Sequence, residues 1–160
     1  MAVRAFYFIL SLLFLVTPTV VTHATQPLPK DQNAVLPVEE IVLVSSSGEF
    51  RFSAEIADTA DRRRTGLMFR EEMLPTHGML FDFEDNGLVA MWMKNTPLSL
   101  DMVFVRPDGT IARIARKTTP FSTDVISSGE PVSHVLELNA GITLQIGLKI
   151  GDRIKHRFFE

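Results

Sequence analysis

The 160-residue chain reads as a mainly β protein, a compact antiparallel β-sandwich or barrel of jelly-roll type with one short helix. Three observations lead there. Short apolar segments recur along the chain, several alternating apolar and polar residues with the period of two that a half-buried strand requires. Turn-forming clusters such as "SSSG", "DNG", "NTP" and "RPDG" separate them. Only one stretch, "DTADRRRTGLMFREEM", changes to a helical period. Many short strands with a single helix favour a sandwich or barrel.

The elements follow in order. "EEIVLV" is the first expected strand. In the second, Glu49 to Ala57, Phe50, Phe52, Ala54 and Ile56 fall on one face, with Arg51, Ser53 and Glu55 on the other. The helix starts at Asp58 or Thr59, either of which can cap it, and Asp61 suits its first turn. Gly66 interrupts it, leaving two or three turns from which Leu67 and Met68 fold back onto the core. Strands are then expected at Gly78 to Glu84, Leu88 to Lys94, Leu98 to Val105, Thr110 to Lys117 and Val132 to Asn139. A short helical or irregular piece, a Gly151-Asp152 turn and a last strand complete the chain.

The N-terminus reads as a targeting segment. Arg4 precedes a largely apolar run, Ala5 to Val16, whose 12 residues fit a signal sequence and fall short of a membrane span. "THA" offers small residues where a signal peptidase cuts. Residues 1–24 are therefore expected to be a signal peptide cleaved after Ala24, residues 25–37 a proline-containing tether, and residues 38–160 one β-sandwich domain. An uncleaved anchor is the alternative, and cleavage leaves no membrane span. The protein is expected in the periplasm or medium.

Composition narrows the chemistry. A net charge of −3 and no cysteine argue against nucleic acid as the main partner and exclude disulfides and thiolate sites. The histidines have no metal-ligand spacing, and no cofactor fingerprint is present.

The stretch "MWMKNTPLSLD" is the most informative. If Met91–Lys94 and Leu98–Asp101 pair across a tight turn at Thr96-Pro97, Met91, Met93, Leu98, Leu100, Met102 and Phe104 share a core face. Trp92, Lys94 and Asp101 then share the opposite face. With Asn95 and Thr96, and with Arg63 and Glu137 joining, they form a candidate cleft suited to a small polar ligand such as a sugar or a carboxylate-bearing metabolite. The same residues also suit a structural network in which Lys94 or Arg63 neutralises a half-buried Asp101. A hydrolase-like enzyme with Asp101 or Glu137 as base and Lys94 steering an anion is an alternative. Another is Cu(I) binding by thioethers, six of the seven methionines falling between Met68 and Met102, although core filling accounts for them as well.

The string "GLMFRE…GMLFDF…WMKNTPLSLDMVFV…DGTI…HVLEL…AG…GDRI" resembles the uncharacterised bacterial and archaeal DUF192 family from about Ile56 to Ile154. The matching positions are Arg63, Gly66 to Met68, Gly78-Met79, Phe81, Trp92 to Thr96, Leu100-Asp101 and Leu136-Glu137. Thr65 and His77 depart from the usual pattern. The resemblance implies a jelly-roll-type β-sandwich and often a signal peptide. It implies no activity.

Overall fold

The computed structural model describes residues 36–159. The expected signal peptide and all but the last two residues of the expected tether lie outside them. Seven strands form one sheet: β1 (Val38–Ser45), β2 (Gly48–Ala57), β3 (His77–Met91), β4 (Leu100–Val105), β5 (Ile111–Ala115), β6 (Ile126–Asn139) and β7 (Arg153–Lys155). Helix α1 (Ala60–Thr65) and helix α2 (Ile142–Gln145) are both short. The mainly β character expected from the strand pattern is what the chain adopts. Of the two expected forms, the sheet takes the barrel-like one, curling into a half-barrel.

The strand order is β5-β4-β6-β3-β2-β1-β7. All pairings are antiparallel except β2 with β3, whose parallel pairing is made possible by the α1 crossover. The two edge strands approach each other: Thr110 bridges Arg153, Ile111 N–H donates to the Asp152 carbonyl at 2.8 Å, and Ile154 N–H donates to the Gly109 carbonyl at 2.9 Å. Gly109 permits this contact. Its φ is +80°, and a Cβ there would lie 2.7 Å from the Ile154 oxygen.

Curling gives the sheet two buried faces. The inner core draws on every strand, from Ile41 and Leu43 of β1 through Ile56, Leu80, Val103 and Leu136 to Ile154 of β7. The outer core joins Met79, Phe81, Leu100, Met102, Phe104 and Val135 with Leu67 beyond α1 and Met93 beyond β3. Leu36 packs against this outer core, and the Pro37 carbonyl accepts from Ile56 N–H at 2.8 Å.

The expected core face of Met91, Met93, Leu98, Leu100, Met102 and Phe104 is present in the outer core. The hairpin that was to produce it is not. β6 lies between β3 and β4, so Met91 pairs with Ile126 and Leu100 with Asn139. Residues 92–99 are a connection that runs from beside the start of β6, at Ile126, to beside its end, at Asn139, so β3 and β4 flank β6 in the same direction. Two expected strands, 78–84 and 88–94, are one strand, and the "DNG" between them falls in a register irregularity between Asp82 and Gly87. The helix stops after six residues because Gly66, at φ 49°, turns the chain out of it.

Candidate functional site

A cavity of about 180 Å³ opens between α1, the end of β3 and the outer face of β6. That is room for roughly six waters at their liquid volume. Local structure explains how it forms. Thr59 caps α1, its hydroxyl accepting from Arg62 N–H at 3.3 Å. Gly66 then carries the chain over Phe81, where a Cβ would meet the ring at 3.2 Å. Leu67 plugs into the outer core, 2% exposed, and Met68 is left on the cavity wall. β3 adds Phe81, Phe83 and Met91, and Trp92 stands at the rim, 48% exposed.

Glu137 is the one acidic residue in this lining. It alternates with the inward-facing Leu136 and Leu138 and therefore points to the outer face, with Met79 and Met102 as its cross-strand partners. Its side chain is 4% exposed and has no hydrogen-bond or ion-pair partner among the described residues. Burial pushes its carboxyl up to about 8, so the neutral form predominates at pH 7.

Arg63 reaches the same cavity from α1. Its Nη1 donates to the Asp58 carbonyl at 3.0 Å, the Asp82 carbonyl at 2.6 Å and Glu84 Oε1 at 3.1 Å. The guanidinium lies 5.9 Å from the centre of the Phe83 ring. Its Nε and Nη2 have no partner among the described residues. Arg63 and Glu137 thus share a cavity without forming an ion pair.

Of the seven expected site residues, the structure brings together Arg63, Trp92, Thr96 and Glu137 on the cavity. It separates the other three. Lys94 is exposed, its Nζ 5.5 Å from the centre of the Trp92 ring. Asn95 is turned at φ 56°, its amide 3.9 Å from the Met68 sulfur. Asp101 lies fully buried on the inner face. Neither Lys94 nor Arg63 neutralises it. Its Oδ1 accepts from Lys117 N–H at 2.9 Å; Oδ2 accepts from Gly141 N–H at 3.0 Å, Thr143 N–H at 3.1 Å and the Thr143 hydroxyl at 2.7 Å. This carboxyl fastens α2 over the end of the half-barrel, and the pairing of Asp101 with Lys94 required by a hydrolase is absent.

The "WMKNT" loop is largely a clasp. Phe69 N–H donates to the Asn95 carbonyl at 2.7 Å, Phe121 N–H to the Thr96 carbonyl at 3.1 Å and Met93 N–H to the Ser122 carbonyl at 2.9 Å. The loop thereby ties the segment after α1 to the segment before β6. Met93 is sealed in the core, its sulfur accepting from the Thr118 hydroxyl at 3.2 Å. Met91 packs against the same outer core and also lines the cavity. Met68, Met91, Phe81 and Phe83 were not expected in the lining. The apolar runs containing them gave no sign that α1 leaves a gap beside β3.

Two substitutions separate the acids. Asp101→Asn replaces an acceptor by a donor facing several donors and should cost about 2–4 kcal/mol in urea unfolding; a loss under about 0.5 kcal/mol would rule out the fastening role. Glu137 has a folded pKa above its ordinary value of 4.5, so its ionisation opposes folding. Its contribution is intact below about 4.5 and is lost as the pH rises through about 8. Glu137→Gln should therefore gain on the wild type as pH rises, by up to about 5 kcal/mol. Parallel stability–pH curves for the two proteins would contradict this.

The fold and cavity can now be set beside known proteins. A structure from Sinorhizobium meliloti 1021, provisionally assigned as a transcription regulator, is 45% identical with a TM-score of 0.73, the match covering 75% of this chain and 94% of that one. A protein of unknown function from Novosphingobium aromaticivorans DSM 12444 is 30% identical with a TM-score of 0.75, covering 78% of this chain and 89% of that one. No curated protein matches. The model of the DUF192 family, described as "Uncharacterized ACR", matches residues 41–156, and the chain belongs to that family.

Proposed function

We propose that this protein is an exported small-ligand-binding or accessory module whose site is the cavity between α1 and the outer face of β6. One observation carries the reading: Glu137, buried in that cavity, offers a carboxyl that nothing in the fold uses. Its oxygens are not among the fully sealed, partnerless side-chain atoms, so they open to the cavity, where a ligand can reach them with a hydrogen bond. Aromatic and thioether walls with a few polar groups are the usual make-up of a small-molecule site. Trp92 at the mouth gives a flat apolar surface against which a ligand can lie.

The charge layout favours a small ligand over nucleic acid, whatever role the S. meliloti protein has. Arg51, Arg62, Arg64, Arg106 and Arg157 are each ion-paired with a carboxylate and so are not free to take phosphates. Among the described residues, no helix is long and apolar enough to cross a membrane.

Two measurements test the proposal. Trp92 is the chain's only tryptophan, so its fluorescence reports on the cavity mouth alone. Titration with a panel of sugars, alcohols, amides and small acids should give a saturable change for at least one class; an unchanged spectrum across the panel would remove the binding reading. For export, the protein recovered from the periplasm or medium should begin at Thr25. Recovery of the full-length chain in the membrane fraction would replace cleavage with a retained anchor.

A further inference from the structure

We infer that the ligand of this cavity is a small organic carboxylate, held between the guanidinium of Arg63 and the carboxyl of Glu137. This rests on the binding reading above and specifies its chemistry. Arg63 and Glu137 line one cavity and make no contact with each other. Were they paired, the guanidinium would hold the carboxyl down, yet burial is the only influence on Glu137 and it acts upward. The space between them is therefore bounded by two hydrogen-bond donors, one cationic and one neutral. A carboxylate has the two acceptor oxygens that such a pair can serve.

The surroundings support an anion over a cation. Arg63 is anchored through Nη1 to two main-chain carbonyls and Glu84, which leaves Nε and Nη2 to donate. Arg64, the other charged group on the lining, is also cationic, although its Nη1 is engaged by Asp61 at 2.6 Å. The elements packed around Glu137 bring no further charge to the cavity. β3 lines it with Phe81, Phe83 and Met91 and the loop with Trp92 and Thr96, while Met79 of β3 and Met102 of β4 flank Glu137 in the sheet. A volume of about 180 Å³ suits an acid of a few carbons to one ring, with its apolar part against Phe81, Met91 and Trp92.

The experiment uses the mature full-length chain and four probes of similar size: propionate, propionamide, propanol and propylammonium, with benzoate as the ring-bearing acid. Binding is read from Trp92 fluorescence and by calorimetry. Propionate or benzoate should bind at about pH 6 and lose at least about tenfold in affinity by about pH 9.5, as Glu137 ionises and repels the ligand. Glu137→Gln, which cannot ionise, should bind with little change over that range. Arg63→Met should weaken the acids and leave propanol unaffected. Should Arg63→Met not fold, the wild-type pH profile and the probe ranking still decide the matter. If propionamide or propanol binds as tightly as propionate, or propylammonium binds and tightens with pH, the carboxylate inference is overturned while the cavity remains a binding site. If no probe binds, and the wider panel also fails, both readings fall.

Discussion

The structure depends on β6 being buried on both sides. It lies between β3 and β4, directs Leu136 and Leu138 into the curled sheet, and directs Val135 and Glu137 outward under the segment that follows α1. A strand covered on both faces leaves no side where a polar group can simply meet water. Each polar side chain on β6 and its neighbours must then find a protein partner or bear the cost of desolvation. Asp101 and Glu137 fall under this constraint and meet it in opposite ways. Asp101 takes four hydrogen bonds at 2.7–3.1 Å and becomes part of the frame. Glu137 takes none and keeps its proton.

The loop after β3 sets how the cavity meets solvent. Phe69, Asn95 and Phe121 all have positive φ, at 64°, 56° and 61°, and each belongs to the set of main-chain bonds that the loop organises. Residues other than glycine reach this region only at a cost, and they stay there when the surroundings over-determine them. Here Phe69 N–H is bonded to the Asn95 carbonyl, and Phe121 N–H to the carbonyl of the adjoining Thr96, so main-chain bonds hold all three turns to the one loop. The consequence for function is indirect. The clasp fixes the position of Trp92 relative to α1, and with it the width of the cavity mouth.

What could be read in the sequence follows from the range of the interactions. Face alternation is local, so Leu100, Met102 and Phe104 were assignable to one apolar face from spacing alone. Strand partners are not local. Nothing in "MWMKNTPLSLD" shows that a strand beginning some 25 residues later will insert between its two halves, and the expected hairpin fails for that reason. The same limit explains Asp101. An acid in an apolar strand is conspicuous, and a charged side chain is the natural partner to look for. The donors it uses are three main-chain N–H groups and one hydroxyl. Nearly every residue carries a main-chain N–H, so sequence cannot single out the ones that serve Asp101. Arg63 and Glu137 were visible as candidates because the resemblance pointed to those positions, while the gap between them is a product of packing.

The contrast between the two acids bears on what Glu137 is for. Replacing Asp101 would strip partners from several buried donors, so the fold itself accounts for that carboxyl. No such account exists for Glu137. Its neighbours on the face are methionine side chains, and a residue of similar volume without charge would pack beside them at lower cost. The carboxyl lowers stability at neutral and higher pH and strengthens no contact within the described residues. On the binding reading proposed above, a group that burdens the fold while facing a cavity acts on what enters that cavity. Arg63 on the same cavity is anchored through Nη1, while its Nε and Nη2 have no partner among the described residues. The cavity thus presents an anchored cation and a carboxyl whose burial opposes ionisation, and the proposed ligand with acceptor oxygens would serve both.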